Sequence, residues 1–198
     1  MAMENSRVPT PSIDNWRGKK DLLDVQFAGN KSAHDPTYSV AVAAVAGLDP
    51  ARDLSPAGGR PTLSPVFNVT VHIYNVRNSQ ESACLPSLST AVVSYGDAFL
   101  GRGTVPAFCA GKRKEDERVA RAWGEGVVVP RFLRDQLAGE LAVGEAAVDV
   151  QVRMPSDCVS ALCSDDMLVC RAKIGGGLAP CELRDVPPQQ PPAAGSAN

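Results

Sequence analysis

Histidine and aromatic residues are scarce in this chain: it holds 2 His, and Phe, Trp and Tyr together make up 5% of it. Few aromatics leave no stacking platform for unpaired bases. An excess of one charge is also missing, because 20 basic side chains face 22 acidic ones for a formal net charge of −2. Nucleic-acid binding needs a basic face that displaces phosphate counterions, so that class is excluded. Long apolar runs are lacking too. The longest, Tyr38 to Leu48, is Ala-rich and strand-sized, whereas a spanning helix needs ~20 apolar residues. The N-terminal stretch contains "NWRGKKDLLD" and shows no apolar leader core. On these grounds the chain is expected to stay soluble in the cytosol.

The cysteines point the other way. Cys84, Cys109, Cys158, Cys163, Cys170 and Cys181 form an even set, consistent with disulfides and an oxidising compartment, although the chain is longer than the small secreted domains where that reading is strongest. Two glycosylation acceptors occur, Asn30-Lys31-Ser32 and Asn68-Val69-Thr70. Both compartments stay open on residues alone.

A length of 198 residues suits one domain with a core of its own. With 16 Pro and 17 Gly, turns are favoured over long helices. Residues 1–36 are polar and aperiodic and read as a flexible arm; 186–198, "VPPQQPPAAGSAN", reads as a disordered Pro-rich tail. Between them, over 37–185, period-two runs follow one another. "PVFNVTVHIYN" alternates Phe67, Val69, Val71 and Ile73 with Asn68, Thr70, His72 and Tyr74. In "SLSTAVVSY", Ala91, Val93 and Tyr95 share a face, and "AFLGRGTVPAF" continues as the next strand. "AAVDVQVRM" sets Ala146, Val148, Val150, Val152 and Met154 against polar neighbours, and "MLVCRAKI" closes the set with Leu168, Cys170, Ala172 and Ile174 inward. One segment departs: Leu133, Leu137 and Leu141 recur every four residues after Pro130 and before Gly144, which predicts a short helix. About seven strands with one wet face predict a mainly all-β domain, a seven-stranded antiparallel β-sandwich of fibronectin or immunoglobulin type with one short α-helix.

Motifs for chemistry are weak. "GDAFLGRGT" has glycines at a phosphate-loop gap but Arg102-Gly103 where Lys and Ser/Thr belong, and no helix follows. The series Cys158, Cys163, Cys170, Cys181 is too irregular for ordinary structural zinc. His34 lies in the arm and His72 on the outward face of its strand, with no acidic orienter nearby in sequence and no G-x-S-x-G elbow anywhere. No enzyme, cofactor or metal is expected. "KRKEDER", residues 112–118, reads as a solvated hairpin tip that discourages edge pairing.

Four stretches in order, "PVFNVTVHIYNVRN", "AVVSYGDAFLGRGTVPAFCAGKRKE", "GEGVVVPRFLRDQLAGELAVGEAAVDVQVRM" and "LVCRAKIGGGLAPCEL", carry a family likeness. Together, over Asp35 to Asp185, they resemble the late embryogenesis abundant group-two domain, the water-stress and hypersensitive-response domain of plant harpin-induced-like proteins. The Y-G-x-x-x-L-G-x-G-x-V-P core begins at Tyr95, and the late pair of cysteines is Cys170 and Cys181. The resemblance implies a non-enzymatic stress- or defence-response protein that acts through its surface. It also implies a domain held outside the plasma membrane by an N-terminal helix, which this chain does not show before Asp35. An extracellular receptor-associated adaptor and a small-molecule or lipid-binding sandwich are the alternatives, and an unknown protein partner is allowed. Asn68 would carry a glycan if the domain enters the secretory path. Gly175 to Gly177 let the chain turn after Cys170, so a Cys170–Cys181 disulfide is within reach, ~5.5 Å between Cα atoms; the family's late pair supports proximity. Cys170 as an ordinary buried thiol is the other reading.

Overall fold

The computed structural model describes residues 35–55, 62–156 and 164–186. The N-terminal arm before Asp35, the tail after Val186, and Asn30, His34, Cys158 and Cys163 lie outside the described residues.

Period two in the sequence becomes one dry and one wet face on each strand. In β2 (Val66–Tyr74), Phe67, Val69, Val71 and Ile73 are buried while Asn68 and Tyr74 are exposed. Its neighbour β1 (Thr37–Ala46) buries Val40 and Val42; a register shift between Ala44 and Ala46 then ends its alternation. The remaining large strands are β4 (Thr90–Tyr95), β5 (Ala98–Thr104), β7 (Glu115–Trp123), β8 (Ala147–Met154), β9 (Asp165–Lys173) and β10 (Ala179–Val186), and β3 (Ala83–Leu85) and β6 (Phe108–Ala110) form a separate two-stranded ribbon.

The main sheet closes on itself. Eight antiparallel strands form a barrel in the order β1-β10-β9-β8-β4-β5-β7-β2, with β2 returning to β1. This corrects the expected seven-stranded sandwich. Alternation cannot separate the two architectures, because every strand has one dry face in both. The difference lies in whether the outer edges pair, and here they do so over short seams. β1 meets β10 through Ser39↔Pro180 and Val40↔Ala179, and β5 meets β7 through Arg102↔Trp123. β10 also starts after Ile174, where the expected core ended; its residues alternate poorly and only Cys181 is buried.

Glycine makes the second seam. A Cβ on Gly103 would overlap the Arg121 carbonyl oxygen, and one on Gly101 would stand 2.8 Å from the Trp123 carbonyl carbon. The G-x-G of the sequence is thus a close approach of two backbones.

The helix α1 (Arg131–Ala142) follows Pro130 and buries Leu137 fully, with Leu133 and Leu141 packed against the core. Gly144 takes a left-handed φ of 70° just past its end. Arg134 donates to the Asp53 carbonyl at 2.8 Å, tying α1 to the loop after β1. Buried Asn75 donates to the Glu81 and Gly111 carbonyls at 2.9 and 3.1 Å, which fixes the β3–β6 ribbon to the end of β2.

A like-charged pair crosses β9 and β10, where Asp166 stands opposite Asp185. Burial, the Asp185 charge and its hydrogen bond hold the Asp166 carboxyl above the usual carboxylate range. A raised acid pKa means stability that is full below the unfolded value and is lost as pH rises through the folded one. Asp185→Asn should therefore raise the melting temperature at pH 7, by an amount worth roughly 0.2–1 kcal/mol, and the gain should vanish at acid pH. A gain unchanged by acid would point to a cause other than charge.

Candidate functional site

The site grows from a bulge. β4 and β5 pair Val93 with Gly101 but Ser94 with Phe99, so Leu100 is an extra residue on β5. A bulge re-aims side chains. Leu100 and Gly101 are buried, and Phe99 and Arg102 on either side of them both point outward. Arg102 then lies between Val92 on β4 and Trp123 on β7. On β7 it is Ala120 and Ala122 that face inward, so Trp123 is turned out and remains 53% exposed.

These residues line a cleft of about 780 Å³ on the outer wall, together with Thr90, Thr104 and Glu125. A second hollow of about 550 Å³ shares Phe99 and Glu125 and runs on to Val128 and Phe132. Phe132 and Val128 are 69% and 74% exposed, so apolar surface continues beyond the cleft. The polar groups are uncommitted: among the described residues, the side chains of Arg102 and Glu125 have no hydrogen-bond or ion-pair partner. Thr90 and Thr104 stand opposite one another and bring two hydroxyls to one end. A ligand with an apolar face and a hydrogen-bonding edge meets both halves of this surface.

A second constellation lies on the wall formed by β1, β2 and β7. Ser39 Oγ is 3.3 Å from His72 Nδ1, and His72 Nε2 is 3.5 Å from Glu115 Oε2. The orienting acid missing from the local sequence is thus supplied across strands. Its chemistry is limited by its place. β2 pairs on both sides, so the backbone N–H groups beside His72 are held in two ladders and none is turned out as an oxyanion donor. Ser39, His72 and Glu115 form a polar row across β1, β2 and β7.

Of the other residues singled out in the sequence, Asn68 is exposed on β2 between Ala43 and Arg121. The phosphate-like "GDAFLGRGT" is the β4–β5 turn and β5, its glycines Gly101 and Gly103 buried against β7. "KRKEDER" divides between the β6–β7 turn and β7 itself, where Arg118 pairs with Asp116 at 2.6 Å and lies 5.5 Å from the Phe108 ring centroid.

Cys170 and Cys181 face each other across β9 and β10 and are joined as a disulfide, so neither offers a thiolate to zinc. Cys84 and Cys109 are likewise opposed and bridged across β3 and β6. The two bridges differ in access: Cys170 and Cys181 are 2% and 8% exposed, whereas Cys84 and Cys109 lie on the wet face of the ribbon. Under mild reductant without denaturant, Cys84 and Cys109 should be alkylated well before Cys170 and Cys181. The double variant Cys170→Ser, Cys181→Ser should lose roughly 2–3 kcal/mol of stability. Peptide mapping checks the order, and equal rates at all four positions would contradict it.

The cleft residues were missed because Trp123 and Phe99 are the kind of residue a sequence reading assigns to a core. The usable signal was the run Val119, Arg121, Trp123 set against Ala120 and Ala122. Arg121 cannot be buried unpaired, so Trp123, two residues on, shares its wet face. Compared with known proteins, the chain matches no family model, no curated protein and no solved structure.

Proposed function

We propose that this chain is a non-enzymatic stress- and defence-response protein of the late embryogenesis abundant group-two type, and that it works through the outer-wall cleft. The cleft is the observation that carries the surface role: large aromatics and two unpaired charges exposed together on strands that a closed barrel holds in place. The stress and defence setting rests on the ordered motif set over Asp35 to Asp185. Work outside the cell is supported by two disulfides and by the outward Asn68. A ligand held between two separable sheets is dropped, because the sheet closes.

The test is complementation. A line lacking the protein should tolerate water deficit poorly and respond weakly to a defence elicitor. The wild-type gene should restore both responses; a Phe99→Ala, Trp123→Ala variant that accumulates normally should not. A null line with normal tolerance and defence would sink the stress role, and full rescue by the variant would sink the role of the cleft.

A further inference from the structure

We propose that the outer-wall cleft binds a neutral oligosaccharide. This rests on the reading that the protein works through this face, and it names the class of ligand.

A sugar ring has two kinds of surface. Its C–H faces are apolar and carry a slight positive charge, which suits the electron-rich face of an aromatic ring. Its edge is a row of hydroxyls, each both donor and acceptor, which suits groups that bond in pairs. The cleft is divided in the same way. Trp123 and Phe99 supply the faces, and both are well exposed. Arg102 supplies a fork of donors and Glu125 two acceptor oxygens, and neither is engaged elsewhere among the described residues. Thr90 and Thr104 add hydroxyls at one end.

The pattern favours a chain of sugars over a single one. Phe99 and Arg102 are separated by two residues along β5, and Trp123 stands across the seam from Arg102. Across the bulge Phe99 stands opposite Ser94 and Arg102 opposite Val92, so at ~3.4 Å per residue the backbone positions of Phe99 and Trp123 lie on the order of 7 Å apart along the strand direction. That is more than one sugar ring covers. Charge selects the class further. One guanidinium and one carboxylate leave the cleft formally neutral, so an anionic chain gains an Arg102 contact but meets Glu125, while a neutral chain bonds to both. The hollow beside it, running to Val128 and Phe132, gives room for a chain longer than the cleft.

The experiment uses the full chain with Trp16→Phe, which leaves Trp123 as the one indole, since the sequence has 2 Trp. Cellohexaose, mannohexaose and hexagalacturonate are titrated in turn, with Trp123 emission and calorimetric heat as readouts. At least one neutral hexasaccharide should give a saturable change in both. In calorimetry on the otherwise native chain, Trp123→Ala and Arg102→Ala should each weaken that binding about tenfold or more, with melting temperatures unchanged because both side chains are exposed. Phe99→Ala gives a third reading should either variant fold poorly. Binding of hexagalacturonate alone, binding of none of the three, or undiminished affinity in folded Trp123 and Arg102 variants would each overturn the proposal. The titration needs no stress phenotype, and the complementation needs no sugar, so a failure of one leaves the other standing.

Discussion

Gly103→Val is expected to prevent the barrel from closing. The substitution adds three carbons at a place where even the first would overlap the Arg121 carbonyl oxygen. The obstacle is backbone, which cannot rotate aside as a flexible side chain can. β5 and β7 must then separate, and the seam they form is the pairing of Arg102 with Trp123. Opening it leaves unpaired N–H and C=O groups on both strands and lets water reach Leu100 and Ala122, both now fully buried. A close-packing violation of this kind falls in the tail of mutational effects, at more than about 4 kcal/mol, against a total of about 5–15 kcal/mol for an ordinary domain. Chemical denaturation should show a largely unfolded protein or one with a much lower midpoint. The comparison is Gly139→Ala. Gly139 lies inside α1 with nothing within 4 Å of a built Cβ, so alanine there should add roughly 0.5–1 kcal/mol by lowering the entropy lost on helix formation. Similar small effects at both positions would mean that the seam is not packed as described.

Those two glycines also show what was legible in the sequence and what was not. Gly139 breaks a run with a 3.6-residue period, and a short helix held by packing could be read around it. Gly103 sits in a run with period two, and nothing local says that a second strand crosses it closely. That fact depends on β7, which follows after the β6 turn, and on the choice between an open and a closed sheet. Inward residues were legible wherever one strand alternated cleanly, as at Phe67 to Ile73 and Val148 to Met154, because burial of a face is a local demand. β10 was not, because Glu182 to Asp185 show no dry face; its place is fixed by pairing with β9 and by the Cys170–Cys181 bridge. The cleft was hidden for a related reason. Phe99 and Arg102 share the outside only because Leu100 bulges, and a bulge is a property of two paired strands.

Val71→Asp should be strongly destabilising, and His72→Ala, one residue on, should cost much less. Val71 is 0% exposed and stands in the barrel wall between Val40 on β1 and Arg118 on β7. Val71 belongs to a core that includes Val40, Val69, Val93 and Leu168, and the cation opposite it in register, Arg118, is already paired with Asp116 at 2.6 Å. Aspartate there either stays charged without a partner or takes up a proton, and each costs several kcal/mol. The lost branched side chain adds its own transfer term of roughly 1.5–3 kcal/mol. His72 faces the outer wall, with its ring 14% exposed. Its bonds are long, 3.3 Å to Ser39 and 3.5 Å to Glu115, and both partners can turn to water once the ring is gone. A cross-strand contact of this kind is worth roughly 0.2–1 kcal/mol. The pair therefore tests register. Side chains on a strand alternate with a period of two, so a slip by one residue would exchange the two results. Thermal melts of both variants should differ by far more than their measurement error, with Val71→Asp the lower; comparable losses would place β2 in the wrong register, and with it Asn68, whose outward position rests on the same alternation.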